Sequence, residues 1–224
     1  MFVLGIDDAG RGPVIGPMVL AGVLMKEETE SELKKEGVKD SKLLSQNQRI
    51  RLAKIIKEKC LDYEIITIEP REIDFRIESG LNLNKIEAIK MAFIINKLTS
   101  KVKEVVRIYI DCPSVNIPVW RNYLRQYVEN AEKFQFRVEH KCDLNHICCG
   151  AASILAKVKR EEEIEKIKKK IKMDFGSGYP SDPVTKEFVS KYFNKFRNLG
   201  IFRESWETIS DFREKKEQKS LENF

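Results

Sequence analysis

Three apolar stretches of this chain run into aspartate. Phe2-Val3-Leu4-Gly5-Ile6 leads to Asp7-Asp8, Val105 to Ile110 leads to Asp111, and the alternating stretch Phe134 to Glu139 is followed four residues on by Asp143. Apolar runs of this length read as buried strands, the first of them stopping at its two carboxylates. If the three strands are neighbours in one sheet, their ends converge and four carboxylates crowd together. Such crowding is repulsive unless cations occupy the site. Oxygen-only ligand sets suit Mg²⁺ or Mn²⁺, and two such ions about 4 Å apart activate a water and stabilise the leaving oxygen of a phosphodiester. Any one of these aspartates alone reads as a loop cap; their recurrence points to a metal centre.

The remaining pattern supplies the sheet and its helices. Met18 to Met25 and Tyr63 to Ile68 are two further strands. Ser45 and Gln48 form an S-x-x-Q capping box ahead of Leu52, Ile55 and Ile56, which predicts a surface helix. Leu81 to Leu98 is apolar nearly all round, the signature of a helix buried on more than one side. Pro118 opens a helix carrying Trp120, Tyr123, Leu124, Tyr127, Val128 and Ala131, and Ala151 to Met173 reads as one long helix. Asp182 caps another helix, with Pro183 at its first position. Strands joined in this order with flanking helices give an α/β fold with a mixed five-stranded sheet. The expected organisation is a sheet domain over 1–180 and a C-terminal helical segment over 181–224, its end from Arg213 poor in apolar residues and expected to be disordered.

At 224 residues and 42% hydrophobic, the chain has enough apolar material for one good-sized core and an appendage. No run approaches the roughly 20 residues that span a bilayer, and the N-terminus lacks the features of a signal peptide, so no membrane partner and a cytoplasmic protein are expected. Five cysteines, an odd number, fit reduced thiols. Lys plus Arg outnumber Asp plus Glu by 41 to 35, which suits a phosphate backbone as partner. The 34% charged fraction equally suits surface ion pairing at high temperature.

Gly10-Arg11-Gly12-Pro13 follows the first two carboxylates. Its glycines expose backbone N–H groups to a closely approaching ligand, and Arg11 adds a fork for phosphate. A dinucleotide-binding loop is excluded, because the spacing to Gly16 is wrong and a strand follows instead of a helix. A plain glycine-rich turn fits these four residues as well. A second functional reading also stays open at this point. Both histidines, His140 and His146, lie within ten residues of Cys142, Cys148 and Cys149, as in a non-catalytic nucleic-acid-binding module with a His/Cys zinc site. The H-x-C-x₃-H-x-C-C order is not a standard tetrahedral spacing. A helix starting near Asn145 would put His146 and Cys149 on faces that Cys142 does not reach.

The chain resembles the ribonuclease HII family, in its archaeal-length form. The residues that carry the resemblance are Gly5 to Pro13, Asp40-Ser41-Lys42, Tyr109-Ile110-Asp111, His140 to Asp143, Ala151 to Val158, Gly176 to Pro183, and Arg203-Glu204-Ser205-Trp206, in order along the chain. The resemblance implies a ribonuclease H-like fold, three antiparallel strands followed by two parallel ones. It implies a catalytic and metal-binding quartet of Asp7, Asp8, Asp111 and Asp143 holding Mg²⁺ or Mn²⁺. It implies an endoribonuclease that acts on RNA–DNA hybrids and on duplex DNA containing ribonucleotides, leaving 5′-phosphate and 3′-hydroxyl ends. Gly10, Arg11 and Gly12 would sense the 2′-hydroxyl that separates RNA from DNA. Tyr179 would pack on the sugar of the following deoxynucleotide, and Lys42 and Ser153 would contact phosphate. A monomer is expected, with contact to a replication clamp left open. Three positions depart from the family: Asp8 stands in place of glutamate, Cys142 in place of the usual alanine, and Gly150 where serine is frequent. The first touches a metal ligand and predicts slow turnover.

Overall fold

The structure is a computed structural model of the chain and describes residues 1–38 and 43–210. Five strands form one sheet: β1 (Phe2–Ala9), β2 (Met18–Lys26), β3 (Asp62–Ile68), β4 (Val106–Asp111) and β5 (Gln135–Glu139). The order across the sheet is β3-β2-β1-β4-β5. β1 runs antiparallel to β2 and parallel to β4, which is parallel to β5. The sheet is therefore mixed, as the sequence predicts.

The sheet is accompanied by helices α1 (Glu27–Glu36), α2 (Gln46–Lys59), α3 (Pro70–Glu78), α4 (Leu83–Thr99), α5 (Ile117–Arg125), α6 (Cys142–Asn145), α7 (Ile147–Ile171) and α8 (Pro183–Phe196), and by short 3₁₀ turns at Ala131–Lys133 and Arg197–Leu199. The capping box on α2 is present, with Ser45 and Gln48 exchanging hydrogen bonds of 3.3 and 2.8 Å. Pro118 opens α5 and Asp182 caps α8 as expected. Among the described residues no helix is long and apolar enough to cross a membrane.

The sequence reading differs from the fold in several places, and the helix opened by Pro118 ends at Arg125, before Tyr127, Val128 and Ala131. β1 does not stop at its carboxylates: Asp7 and Asp8 lie inside it, paired with Ala21 and Leu20 of β2. A strand ladder is made by backbone groups, so polar side chains do not end it. α1 and α3 were not foreseen, because each buries too little to show an apolar stripe: Leu33 in α1, Pro70 and Ile73 in α3. α7 begins at Ile147 and not Ala151, because its first turn is itself core, with Cys148 and Cys149 fully buried.

The chain divides into two compact units. The first comprises Met1–Ala9, Val19–Thr67 and Leu83–Glu161 and contains the sheet. On one face, Val3, Val19, Ala21, Val23 and Met25 pack with Ala151, Ala152 and Leu155 of α7. On the other, Gly22 makes room for α4, since a Cβ there would lie 2.3 Å from the Ile94 side chain. The second unit comprises Gly10–Met18, Ile68–Asn82 and Glu162–Phe224. Its core is aromatic: Phe188 lies 5.6 Å from Phe175 and 5.8 Å from Phe196 between ring centroids, and Phe193 lies 5.0 Å from Phe202.

Candidate active site

In the sheet unit, strand register brings two of the aspartates together. The last aligned pair between β1 and β4 is Ile6 with Ile110, and each is followed by an aspartate, Asp7 and Asp111. Side chains on a strand alternate, so Asp7 shares a face with Gly5, and Asp111 with Tyr109. That is the face covered by α7. At Gly5 the helix touches the strand backbone: a Cβ would lie 2.1 Å from the carbonyl carbon of Cys148. From there, two residues of strand rise about 6.6 Å and the five residues of helix from Cys148 to Ser153 about 7.5 Å. Asp7 and Ser153 thus stay level, and the Ser153 hydroxyl donates to the Asp7 carboxylate.

Asp143 arrives by a different route. After β5 the chain reverses through Lys141, held in the left-handed region at φ 58°, and Asp143 sits in the first turn of α6. The same turn secures Asp111, whose Oδ1 accepts the Cys142 N–H at 2.8 Å. Asp8 donates its own N–H to Asp7 Oδ1 at 2.7 Å.

The electrostatics follow from this assembly. Asp7 is only 4% exposed. Burial pushes its carboxyl well above the usual carboxylate range; the charge of Asp8 adds to this, and those of Asp111 and Asp143 add further, against the hydrogen bond from Ser153 that lowers it. A nearly sealed carboxylate facing three others is an uncompensated charge that a hard, oxygen-seeking divalent cation fits. Ser153, expected at a phosphate, is fully buried on Asp7.

In the second unit, Gly10-Arg11-Gly12 is organised by Arg203, a residue to which the motif reading gave no role. Its guanidinium donates to three carbonyls: Nη2 to Gly10 at 2.6 Å, Nη1 to Arg11 at 2.8 Å and Nε to Gly16 at 3.0 Å. Arg203 is fully buried, and its guanidinium lies over the Trp206 ring at 4.9 Å. The signal was present in Ile201-Phe202-Arg203, a charge set in an apolar stretch. Tyr179 stands beside the loop: a Cβ on Gly12 would lie 3.5 Å from its ring. The turn before Tyr179 is fastened by Asp182, which accepts from the Ser177 N–H and hydroxyl, both at 2.7 Å; these bonds hold its carboxyl down to about 2. The Gly178 carbonyl accepts the Val14 N–H at 2.8 Å. Lys42 lies outside the described residues, as do the rest of Asp40-Ser41-Lys42 and the C-terminal tail.

The five-residue His/Cys set does not assemble as one ligand shell. Cys148 and Cys149 are sealed in the core, and His140 Nδ1 faces the Cys112 carbonyl at 3.0 Å. Cys142 instead groups with Glu139 and His146, the reverse of the expected faces.

Comparison with known proteins settles the lineage. The family described as Ribonuclease HII matches residues 4–209. Ribonuclease HII of Pyrococcus furiosus is 41% identical, with 100% of this chain and 98% of that protein covered. The chain belongs to the ribonuclease HII family. It is a metal-dependent endoribonuclease of the ribonuclease H type, and the non-catalytic reading is thereby overturned. Solved structures agree with the ribonuclease H-like fold. The ribonuclease H2 of Pyrococcus horikoshii superposes with a TM-score of 0.84 at 36% identity, covering 96% of this chain and 98% of that one. The ribonuclease HII in a PCNA complex from Archaeoglobus fulgidus gives 0.81 at 38% identity, covering 94% and 96%.

Proposed function

We propose that this ribonuclease HII cleaves the RNA strand of RNA–DNA hybrids and incises duplex DNA at embedded ribonucleotides, leaving 5′-phosphate and 3′-hydroxyl ends. The observation that carries this reading is the carboxylate assembly around Asp7, whose conflict of charge bound divalent cations would relieve. Asp7, Asp8, Asp111 and Asp143 are the residues that would hold Mg²⁺ or Mn²⁺. Two bound ions would supply an activated water and charge stabilisation for the leaving oxygen. Ser153 keeps Asp7 oriented, and the Cys142 N–H keeps Asp111 oriented.

The loop Gly10-Arg11-Gly12 reads the 2′-hydroxyl through its main chain, with the Gly10 and Arg11 carbonyls held in place by Arg203. Tyr179, 38% exposed beside Gly12, packs on the sugar of the next deoxynucleotide. Lys42 contacts phosphate. The relative solved with PCNA favours a sliding clamp as partner here too.

The deciding experiment is cleavage of three labelled duplexes with Mg²⁺ or Mn²⁺: an RNA–DNA hybrid, a DNA duplex with one ribonucleotide, and an all-DNA duplex. Cutting of the first two alone is expected. Equal cutting of the all-DNA duplex would sink the reading.

A further inference from the structure

Next to the oxygen-only centre lies a ligand set of different chemistry. Glu139 ends β5, Cys142 opens α6 and His146 follows that helix, and one ligand atom from each lies within 4.8 Å of the other two. His146 Nε2 is 3.2 Å from Glu139 Oε1. Around a tetrahedral Zn²⁺, nitrogen and oxygen ligands at about 2.1 Å stand about 3.4 Å apart, and nitrogen and sulfur about 3.6 Å apart. The His146–Glu139 distance of 3.2 Å is close to the first of these values, and the Cys142 sulfur, within 4.8 Å of both, closes the set by a small movement.

The surroundings hold the three groups in place. Asn145 Nδ2 donates to Glu139 Oε1 at 2.9 Å. The His146 ring stacks on Tyr109 with centroids 4.1 Å apart. The Cys142 backbone is fixed through its N–H on Asp111. Glu139 and His146 keep 37% and 30% of their side chains exposed, which opens the site on that side, while the thiol is sealed behind them. An ion pair alone accounts for Glu139 and His146 facing each other. The Cys142 thiol, which also hydrogen-bonds the Cys149 thiol in the core, completes the triangle.

We propose that Glu139, Cys142 and His146 form a second metal site, for a thiophilic borderline cation of the Zn²⁺ class, separate from the quartet that takes hard cations. Three protein ligands leave the fourth position to water. Binding replaces the thiol proton, which leaves to solvent, and no electron changes hands. The site is joined to the catalytic centre by covalent succession, since Cys142 precedes Asp143, and by the Cys142 N–H on Asp111. Occupancy there therefore slows cleavage supported by Mg²⁺.

The test uses the full chain in excess Mg²⁺, which fills the oxygen centre, and titrates Co²⁺ as a spectroscopic substitute for Zn²⁺. One equivalent should bind with a thiolate-to-Co²⁺ charge-transfer band in the near ultraviolet and be displaced by Zn²⁺. Cys142→Ala should remove the band, and His146→Gln should weaken binding by about 100-fold or more. Zn²⁺ should also slow cleavage by the parent and lose that effect in His146→Gln, each protein compared with its own rate without Zn²⁺. Circular dichroism checks that Cys142→Ala folds; if it does not, His146→Gln and Glu139→Gln decide. Binding without a thiolate band, a band that survives Cys142→Ala and so belongs to another cysteine, or unchanged affinity in the histidine and glutamate variants would each overturn the proposal.

Discussion

Asp7 and Arg203 are both charged and almost sealed from solvent, yet their surroundings are opposite in kind. Asp7 looks at three charges of its own sign, and only hydrogen bonds from the Ser153 hydroxyl and the Asp8 N–H work in its favour. Arg203 meets three carbonyl oxygens and an aromatic face, so each of its nitrogens has an acceptor. The sheet unit thus stores a conflict that a ligand must relieve, whereas the second unit settles its charge internally and keeps a loop in one shape. Removing the charge should have opposite effects on stability in the two places.

The largest effect is expected at the quartet. Asp7→Asn, Asp111→Asn and Asp143→Asn should each lower single-turnover cleavage by on the order of a thousandfold, the scale of losing a principal transition-state charge contact. Asp7→Asn should also raise the Tm of the protein in EDTA at pH 8 by at least about 2 °C, the shift that roughly 1 kcal/mol gives in a chain of this size. The sign follows from proton linkage. The folded-state value of Asp7 lies above its unfolded value, so its contribution is fully present at low pH and is lost as pH rises through the raised value. The gain from Asp7→Asn should therefore shrink toward pH 5, and divalent cations should stabilise the parent more than the variant. A variant that melts below the parent at pH 8 would break the contrast.

Arg203→Lys keeps the charge and loses the fork that reaches three carbonyls. It should lower stability by about 3 kcal/mol, roughly 6–12 °C in Tm. The ratio of cleavage at a ribonucleotide to cleavage at a deoxynucleotide should fall more than hundredfold, because the loop loses its fixed shape. An unchanged ratio in a folded variant would mean that the loop keeps its shape without Arg203.

Much of this contrast can be read in the sequence, but unevenly. The strands show because a buried strand must be apolar, so aspartates such as Asp7, Asp8 and Asp111 in or just after such runs stand out as candidates. Asp143 was found without its setting: it lies in a four-residue helix entered through Lys141 in a left-handed conformation, and a single turn of helix has no periodicity to detect. Ser153 was assigned to phosphate because the register that levels it with Asp7 depends on Gly5, and one missing Cβ leaves no trace in a hydrophobic pattern. Arg203 escaped a role because its partners are carbonyls, which every residue has.

Asp8 sharpens the comparison within the conflicted unit. Its carboxylate is one methylene shorter than the glutamate of the resembling family, which draws the oxygens back by about 1.5 Å. A misplacement near 1 Å costs on the order of a hundredfold in rate. Asp8→Glu should raise turnover in Mg²⁺ by about tenfold or more with little change in substrate affinity, and the parent should do better in Mn²⁺ than in Mg²⁺. The idea is falsified if Asp8→Glu leaves Mg²⁺-supported turnover unchanged or lowers it. The smallest effect belongs to Tyr179→Ala, which should weaken cleavage at an RNA–DNA junction severalfold, about 1 kcal/mol of lost packing, and spare cleavage inside a long hybrid. Equal losses on both substrates would leave the tyrosine a structural part of its turn.

The carbonyls of Gly10, Arg11 and Gly16 are gathered by a side chain between 187 and 193 positions further along the chain. During synthesis at about 5–20 residues per second, those segments leave the ribosome roughly ten seconds or more before their clasp. Every residue of the quartet has by then been made, so the carboxylates precede the device that holds the reading loop. Under the role proposed for that loop, discrimination between RNA and DNA would be the last property that a growing chain acquires.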